Sequence, residues 1–567
     1  MKKTSRILAI VLALVMVLSV GVFAAWNQFQ GNDYHNGRIT GVAPPTSTPI
    51  TVTNPTLNYS GGGWSGVDTT PVMETISDVT YAYVTYNGWS EGTQLSKINC
   101  NTGATVWSAD ISSTTGGNQL STPYLDTTNG IIYVAAVDYY WFIQNNEFAS
   151  TGNWTLSSGT AITVGGSDET SYVTIPSGGS ISQTFNNATS GTISTQLTSA
   201  VKLASPGTNA TVTYTLKKPD NTTVQLKSLT VSSASNWAYV NEIGTGKVSA
   251  TGNYTITVSV SGASVIIDYV TFSHQTSGIK AFNRDGTVNR SNVAAATYGG
   301  QINTPLTVYN GKLYFGTYNG SKYYYQVDLS NTNTSTNTKA FQGNNHFYWT
   351  GAYSDGTYVY FGGDGGYLYK RSVTNFATSG TTYNIADEVD DAVVPGNVRS
   401  TVCYDNGNLY FTSQNGYLWK FNISSGSFSY AIIGEANTNN GGSTSTPAVT
   451  SDGNIYVGSY GINHKAIFKT TTSFTSGSYM NKLSATDGLP VQASVIVYTD
   501  SNIDYIFFTT NVSGGRGYCF SSPVAQNTAT SIWDTGSGNF TLQGMAADNG
   551  YLVFGNDANT LYVVHAG

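Results

Sequence analysis

Few residues in this sequence have the types and spacing that catalysis needs. Four carboxylates lie within Asp387 to Asp391, a run that could bind Ca²⁺ or a cationic ligand, or could simply form a solvated loop. The string Gly88 to Gly92 fits the Gly-x-Ser-x-Gly nucleophile pattern. That motif needs a turn from a strand into a helix. Since this copy lies in a loop between two predicted strands, we interpret it as a chance match.

Histidine and cysteine do not cluster either. The five histidines form no group with metal-ligand spacing. The three cysteines are too few and too far apart for a disulfide framework, and at most one disulfide could form. The positions concerned are His35, His274, His346, His464 and His565, and Cys100, Cys403 and Cys519.

The elements that must position any site are predicted to be strands. Charged residues make up only 10% of the chain, whereas there are 62 glycines and 40 tyrosines. Strong helix formers are therefore scarce, and the β-branched and aromatic residues that favour strands dominate. The net charge of −7 provides no basic surface for phosphate backbones, so we expect no nucleic-acid partner.

The N-terminus has the order of residues typical of a secretory signal peptide. Lys2 and Lys3 precede an apolar stretch from Ile7 to Leu18, and small residues follow at Ala24. We expect residues 1–24 to be removed and the mature chain to be secreted, either free or associated with the cell surface. No later apolar run is long enough to span a bilayer, so we expect no transmembrane segment in the mature chain.

A repeated unit of about 50 residues is the strongest feature of the sequence. Each copy has a small residue or Pro, a strand, a polar turn and a second strand of apolar-Tyr-apolar type. Units of this length with several strands are typical of β-propeller blades. The last copy is one strand short, so Ile50 to Tyr59 is predicted to complete it and close the ring. The eight copies begin at Pro71, Pro123, Pro305, Gly351, Thr401, Pro447, Ser494 and Gly544.

The copies resemble PQQ-like, or quinoprotein-type, β-propeller repeats. Asn99 to Gly103 followed by Trp107 is similar to the family's docking motif, in which a glycine turn lets an aromatic side chain stack between neighbouring blades. Trp26 to Gly31 resembles the family's Trp-x-x-Phe-x-Gly opening. The family's dehydrogenases hold PQQ with two adjacent cysteines, a Ca²⁺ site and an Asp base. Because this chain has no adjacent cysteines, we expect neither PQQ nor dehydrogenase activity.

One interval between copies is too long by about 130 residues. The excess begins after the predicted strand Ile131 to Val137 and ends before Gly278 to Phe282. Alternation of polar and apolar residues in Ala210 to Leu216 predicts a β-sandwich. The fold class is therefore all-β, an eight-bladed propeller (residues 25–142 and 277–567) with a β-sandwich (jelly-roll) domain, residues 143–276, inserted in blade two.

The inserted segment resembles jelly-roll carbohydrate-binding modules, which often open as Asn145 to Phe148 does and close with an Asp-containing strand such as Ile267 to Val270. In that family both ends meet at a structural Ca²⁺ ion, which implies Glu147 and Asp268 as ligands; both could also be solvated acids. Aromatic side chains that could stack on sugar rings are Trp154, Trp237 and Tyr239. Trp154 could instead belong to the core.

The loops after each second strand, and the connections between blades, fall on one face of the predicted propeller, and the insert emerges there too. Aromatic and polar residues around a shallow ring suit sugar or protein surfaces, although they are also expected in a chain so rich in tyrosine. The residues concerned are Trp89, Tyr318, Tyr460 and Arg516, together with Glu91, Asp364 and His464.

These features favour a secreted, non-catalytic protein of the cell exterior that recognises a glycan through the insert, with the propeller as its platform. A structural or assembly role is the alternative, in which the chain associates with itself or with another protein. A polysaccharide-active enzyme is the third hypothesis. It would need an acid–base constellation, for which Asp387 to Asp391 is the clearest candidate.

Overall fold

The computed structural model describes residues 25–59, 66–88, 92–112, 121–165, 171–188, 193–294, 300–318, 322–389, 393–435 and 441–567. Within these ranges the chain is all-β and consists mainly of antiparallel sheets, with two short 3-10 helices, Ile385–Glu388 and Ser484–Thr486. Neither helix has the length or apolar character needed to cross a membrane. The predicted signal peptide lies outside the described residues.

Eight groups of four strands in the described ranges follow the sequence repeat, and we number them repeat sheets 1 to 8. Sheets 1 to 4 comprise Val72–Ile76, Val79–Gly88, Gly92–Asn99 and Ala104–Ser112; Tyr124–Asp126, Ile131–Trp141, Val265–Asn283 and Val288–Arg290; Thr307–Tyr309, Lys312–Gly316, Tyr323–Asp328 and Thr338–Gln342; and Tyr353–Ser354, Tyr358–Gly363, Tyr367–Ser372 and Gly380–Asn384.

Sheets 5 to 8 comprise Cys403–Asp405, Asn408–Ser413, Tyr417–Asn422 and Phe428–Ile432; Ala448–Val449, Asn454–Ser459, Ala466–Thr471 and Asn481–Lys482; Ile496–Asp500, Ile503–Thr509, Gly517–Pro523 and Thr530–Asp534; and Ala546–Asp548, Tyr551–Gly555, Leu561–Ala566 and Ile50–Thr53. The short strand Ser478–Tyr479 adds to the outer edge of sheet 5 in parallel orientation.

Tight turns join the first two strands of several repeat sheets. Two-residue hairpins of type I′ need positive φ at both central residues, which Asn and Gly tolerate best. The structure has φ between +45° and +83° at the residues of three such turns. These turns are Asn310-Gly311, Asn406-Gly407 and Asn549-Gly550, so the hairpins predicted from these dipeptides are confirmed.

Neighbouring repeat sheets are hydrogen-bonded at the residue two positions before each first strand. At four junctions the backbone N–H at this position donates to a side-chain hydroxyl at the same position of the next sheet. The pairs are Thr70 to Thr122 (3.2 Å), Gly351 to Thr401 (3.0 Å), Thr401 to Thr446 (2.9 Å) and Thr446 to Ser494 (2.8 Å). This close approach accounts for the small residues at this position, Gly351, Thr401 and Ser494.

The N-terminal strand joins the last repeat sheet to the beginning of the chain. Ile50–Thr53 pairs antiparallel with Leu561–Ala566, with Ile50 opposite Ala566. The predicted closing strand is therefore confirmed for four residues. Sheet 8 also contacts sheet 1, where the Thr75 hydroxyl donates to a carboxylate oxygen of Asp548 at 2.8 Å.

Residues 26–38, which we call the strap, run past the first strands of successive repeat sheets. Strap carbonyls accept backbone N–H groups of Met73, Leu125, Tyr404, Val449 and Val497, in sheets 1, 2, 5, 6 and 7. The glycine of the motif Trp26 to Gly31 is required by local structure, because Gly31 has φ +80° and a Cβ there would lie 2.4 Å from the indole of Trp26. The strap therefore ties most of the repeat sheets together at their inner strands.

Two further sheets lie between the second and third strands of repeat sheet 2, and we call them the two-sheet segment. Both sheets contribute to one hydrophobic cluster, which makes this segment a sandwich with its own core. Sheet M1 has the order Ala238–Val248, Ile193–Leu203, Val265–Asn283, Tyr172–Ile175 and Ala161–Thr163; sheet M2 has the order Thr223–Val231, Ala210–Lys217, Gly252–Ser261, Ser180–Asn187 and Thr155–Leu156.

One long strand belongs both to sheet M1 and to repeat sheet 2. Val265–Asn283 pairs with Ile193–Leu203 in its first half and with Ile131–Trp141 in its second half. The second ladder runs without interruption from Ser273 opposite Trp141 to Asn283 opposite Ile131. The two-sheet segment is therefore joined to the repeat sheets by a paired ribbon of two strands.

Candidate functional site

The outer surface of sheet M1 carries two of the aromatic side chains predicted to stack on sugars. Trp237 directly precedes the edge strand Ala238–Val248 and Tyr239 lies two residues further on, so both side chains fall on one face. The side chain of Tyr239 is 69% exposed, whereas Val240 is buried in the core. This face of the sheet therefore points to solvent.

The strand register adds Tyr269, which the sequence analysis did not select. Tyr239 is paired with Ala200, and Ala200 is paired on its other side with Tyr269. Tyr269 lies on the outer face because the neighbouring Val270 is in the core. The backbones of the two tyrosines thus lie two strand spacings apart, about 10 Å, and Ala200 between them is 2% exposed.

A β-bulge brings a carboxylate to the same face. The register passes from Ala200 opposite Tyr269 to Val201 opposite Ile267, so Asp268 is the extra residue. Bulges commonly re-aim a side chain in this way. Two adjacent non-core residues between buried Ile267 and Val270 are the sequence signal that could have predicted the bulge.

Lys202 completes this surface, which we call the aromatic face (Trp237, Tyr239, Tyr269, Lys202 and Asp268). Its ammonium lies 4.5 Å from the centre of the Trp237 ring. Partial burial raises the pKa of Asp268, and the positive charge of Lys202 opposes that rise. The aromatic face therefore combines flat aromatic rings with one cationic donor group and one carboxylate acceptor group, the combination that orients a polyhydroxylated ligand.

Trp154, predicted as a possible stacking residue, lies elsewhere. Its side chain is 6% exposed and belongs to the sandwich core, where it packs against Phe148 at 5.7 Å. The indole N–H donates to the carbonyl of Asn145 at 3.0 Å. No face of the ring is open to a sugar, so the structure corrects the binding role to a packing role.

The predicted calcium ligands Glu147 and Asp268 come from adjacent segments of the chain. The carbonyl of Asn146 accepts the N–H of Val270 at 2.9 Å, which places the two segments side by side. Glu147 is exposed, and Asp268 lies near Lys202. Among the described residues no three His, Cys, Asp or Glu side chains gather in a metal-binding group.

The predicted loop residues of the propeller lie in three different settings. Tyr318 packs against Tyr348 at 4.4 Å, the Tyr460 hydroxyl accepts a hydrogen bond from Gln414 at 3.3 Å, and Arg516 forms a half-exposed ion pair with Asp534 at 3.1 Å. The guanidinium of Arg399 lies 5.7 Å from the centre of the Tyr318 ring. Trp89 and Glu91 lie outside the described residues.

The other sequence motifs have structural explanations or fall outside the described ranges. Trp107 donates from its indole nitrogen to the carbonyl of Arg284 at 2.9 Å, and a Cβ at Gly286 would lie 2.8 Å from its ring. It thus packs on the next repeat sheet, as the docking motif implies. Asp387 accepts a hydrogen bond from Asn384 at 2.9 Å. Asp390 and Asp391, and the centre of the Gly88 to Gly92 string, are not described.

The three cysteines are buried, and the structure leaves each of them as a free thiol. Burial is the main cause that raises the pKa of all three thiols. Buried thiols of raised pKa are poor nucleophiles, so these side chains serve as apolar packing groups.

Comparison with known proteins gives no match to any family model or to any curated protein sequence. Among solved structures, BamB from Moraxella catarrhalis is similar at 13% identity and a TM-score of 0.38, covering 51% of this chain and 78% of that chain. The computationally designed Ika8 protein is similar at 10% identity and a TM-score of 0.34, covering 51% and 80%.

A third structure, TmCBM61 in complex with β-1,4-galactotriose, has 14% identity and a TM-score of 0.19 and covers 24% of this chain and 97% of its own. All three TM-scores are below 0.5, so these similarities support no functional argument for this chain.

Proposed function

We propose that this chain is a secreted, non-catalytic glycan-binding protein. The observation that carries the proposal is the aromatic face, where Tyr239 and Tyr269 flank Ala200 and Trp237 lies beside Lys202. Secretion is supported by the residue pattern of the first 24 positions. In this proposal the side chains of the aromatic face bind the glycan and do not cleave it.

The spacing of the two tyrosines suits a saccharide chain better than a single small molecule. Each ring is amphipathic and can pack on the apolar C–H face of a sugar while its hydroxyl remains in water. Ala200 between them is 2% exposed, so a saccharide chain that lies across the strands would run over the two rings and contact both. Lys202 and Asp268 can then donate to and accept from the sugar hydroxyls.

We propose further that the eight repeat sheets are the blades of a propeller and that residues 143–276 form an inserted carbohydrate-binding module. The hydrogen bonds between successive sheets, the closing strand Ile50–Thr53 and the strap support a closed ring. The separate core of the two-sheet segment supports an independent module. In this arrangement the ring is the platform that carries the module.

The test uses the mature chain, residues 25–567, on a glycan array and in pull-downs with insoluble polysaccharides. Tyr239→Ala and Tyr269→Ala should each weaken binding by about fivefold to thirtyfold, since a buried aromatic contact contributes about 1–2 kcal/mol. Tyr479→Ala is the matched control, because Tyr479 is also an exposed tyrosine but lies on repeat sheet 5. It should bind like the parent chain.

Absence of binding to every glycan, or equal losses in all three variants, would refute the proposal. Parallel incubations with and without chelator test Glu147 and Asp268 as calcium ligands: if they bind Ca²⁺, the chelator should lower the melting temperature. Release of reducing ends from a bound polysaccharide would instead indicate an enzyme.

A structural or assembly role is the second candidate, and exposed apolar side chains on propeller loops favour it. Val394 is 63% and Ile462 is 91% exposed. Analytical ultracentrifugation over a range of concentrations, without any glycan, tests this role. Association that Ile462→Ser abolishes would support it, and a monomer at all concentrations would exclude self-assembly.

A further inference from the structure

Two carboxyl groups meet at the junction between repeat sheets 8 and 1. Asp68 lies four residues before the first strand of sheet 1, and Asp557 lies in the loop that joins the second and third strands of sheet 8. The backbone N–H of Val67 donates to the carbonyl of Asn556 at 3.1 Å, which holds the two segments side by side. The two carboxyl groups lie within hydrogen-bond distance of each other. The fold therefore brings two acidic groups into contact between two sheets.

The junction between repeat sheets 4 and 5 shows how an equivalent acidic group is neutralised elsewhere in the chain. Arg399 has the register position of Asp68, four residues before a first strand. Asp364 follows the second strand of its sheet, in the loop that corresponds to that of Asp557. There the guanidinium donates two hydrogen bonds of 2.8 Å to the carboxylate. At the junction of sheets 8 and 1 a second carboxyl group occupies the place of the guanidinium, so a positive charge is the missing component.

Burial makes the missing charge costly. Asp68 is 2% exposed, and its Oδ1 is buried with no hydrogen-bond partner among the described residues. Burial is the largest cause that raises the pKa of Asp68, and the charge of Asp557 adds to the rise. No basic side chain in the described part of the chain is among the causes that act on the pKa of either group. Since a buried carboxylate without a partner is unfavourable, the pair needs either a proton or a cation.

The groups around the pair suit a calcium ion. Ca²⁺ is a hard cation that takes about six to eight oxygen ligands in flexible geometry, and two carboxylates balance its charge. Asn559 Oδ1, in the same loop as Asp557, is a further buried oxygen without a partner among the described residues. Asp557 is only half-buried, so water can reach the pair and complete the coordination. We propose that Asp68 and Asp557 bind one Ca²⁺ ion, which joins the first and last repeat sheets.

The test removes the other predicted calcium ligands first. The parent is the mature chain, residues 25–567, with Glu147→Gln and Asp268→Asn, stripped of metal by a chelator. Isothermal titration calorimetry in about 0.15 M NaCl, which screens attraction to exposed carboxylates, should show one Ca²⁺ ion bound per chain. Because the ion binds only the folded chain, saturating Ca²⁺ should also raise the melting temperature of the parent.

Three variants of the parent examine the pair itself. Asp68→Asn and Asp557→Asn preserve the shape of each side chain and remove one charge, and each should weaken Ca²⁺ binding about tenfold or more, because affinity depends on the number of charged ligands. Asp68→Arg copies the pair of Arg399 and Asp364. It should abolish Ca²⁺ binding and give a melting temperature that no longer depends on Ca²⁺.

Asp534→Asn is the matched control, because this carboxylate lies on the neighbouring sheet 7 and is already paired with Arg516. It should bind Ca²⁺ like the parent. The proposal is overturned if the parent binds no Ca²⁺, or if Asp68→Asn and Asp557→Asn bind it as tightly as the parent does. A parent whose melting temperature responds to acidification but not to Ca²⁺ would show that the pair holds a proton instead.

Discussion

Asp548 provides a direct test of the contact between the first and last repeat sheets. Its carboxyl group is buried and accepts a hydrogen bond from Thr75 at 2.8 Å. Burial is the largest cause that raises its pKa to about 6; the charge of Glu74 adds to the rise, and the Thr75 hydrogen bond opposes it. The perturbation is Asp548→Asn, which has the shape of the protonated acid and cannot ionise.

The expected magnitude follows from linkage. In the folded chain the pKa of Asp548 is about 6, against 3.8 for the ordinary side chain. The folded state therefore binds the proton more tightly, and this contribution to stability is present below pH 4 and is lost as the pH rises through 6. A difference of about two pKa units corresponds to about 3 kcal/mol. The free energy of unfolding of Asp548→Asn, relative to that of the natural chain, should therefore rise by about 3 kcal/mol as the pH increases from 3.5 to 7.5.

The assay is urea denaturation of both chains at closely spaced pH values, and the quantity compared is the difference in the free energy of unfolding. Contributions from other titrating groups cancel in this difference. It should change most steeply between pH 4 and 6.5. A difference that stays constant across this range would refute the burial argument, because it would mean that Asp548 titrates as it does in the unfolded chain.

Three further predictions concern packing between the repeat sheets. Gly286→Ala should destabilise the chain by about 1–3 kcal/mol in thermal or chemical unfolding, because φ there is +88° and the new Cβ meets Trp107; an unchanged melting temperature would contradict this. Arg284→Ala should lower the free energy of unfolding by about 2 kcal/mol, because it removes two hydrogen bonds and the charged partner from Glu74, which is 4% exposed and keeps the hydrogen bond from the Tyr83 hydroxyl. Arg516→Ala is its control and should change stability by less than about 1 kcal/mol, so equal effects would count against the burial argument. All three cysteines should resist a thiol reagent in the native chain and react after unfolding, whereas fast native labelling would show that the cores are open.

The sequence predicts the features of this fold that depend on local chemistry. Asn310-Gly311 and its counterparts indicate hairpins because few other dipeptides adopt positive φ twice in succession. The small residue that begins each repeat is equally readable, since it marks the close approach between neighbouring sheets. The same repeat count predicts that Ile50 to Tyr59 completes the last sheet, and the structure confirms this for Ile50–Thr53.

The binding surfaces depend on register, which sequence alone does not reveal. Tyr269 reaches the aromatic face only because a bulge at Asp268 shifts the alternation of its strand. Trp154 has the residue type of a sugar-binding side chain, but its neighbour Phe148 holds it in the core. Asp68 and Asp557 are brought together from the first and last repeat sheets, a juxtaposition that becomes visible only once the strand boundaries are known.

The paired ribbon that joins the two-sheet segment to repeat sheet 2 has a consequence for multivalent ligands. A flexible linker would let two sites on one chain search for each other over a range of separations. Here eleven consecutive residue pairs of two strands connect the segments without an intervening loop, so the aromatic face and the repeat sheets have a narrower range of separations than a flexible linker would allow. A ligand that contacts both the aromatic face and the repeat sheets gains avidity only if its length matches the distance between them. The ribbon therefore makes the avidity of binding depend on the length of the ligand.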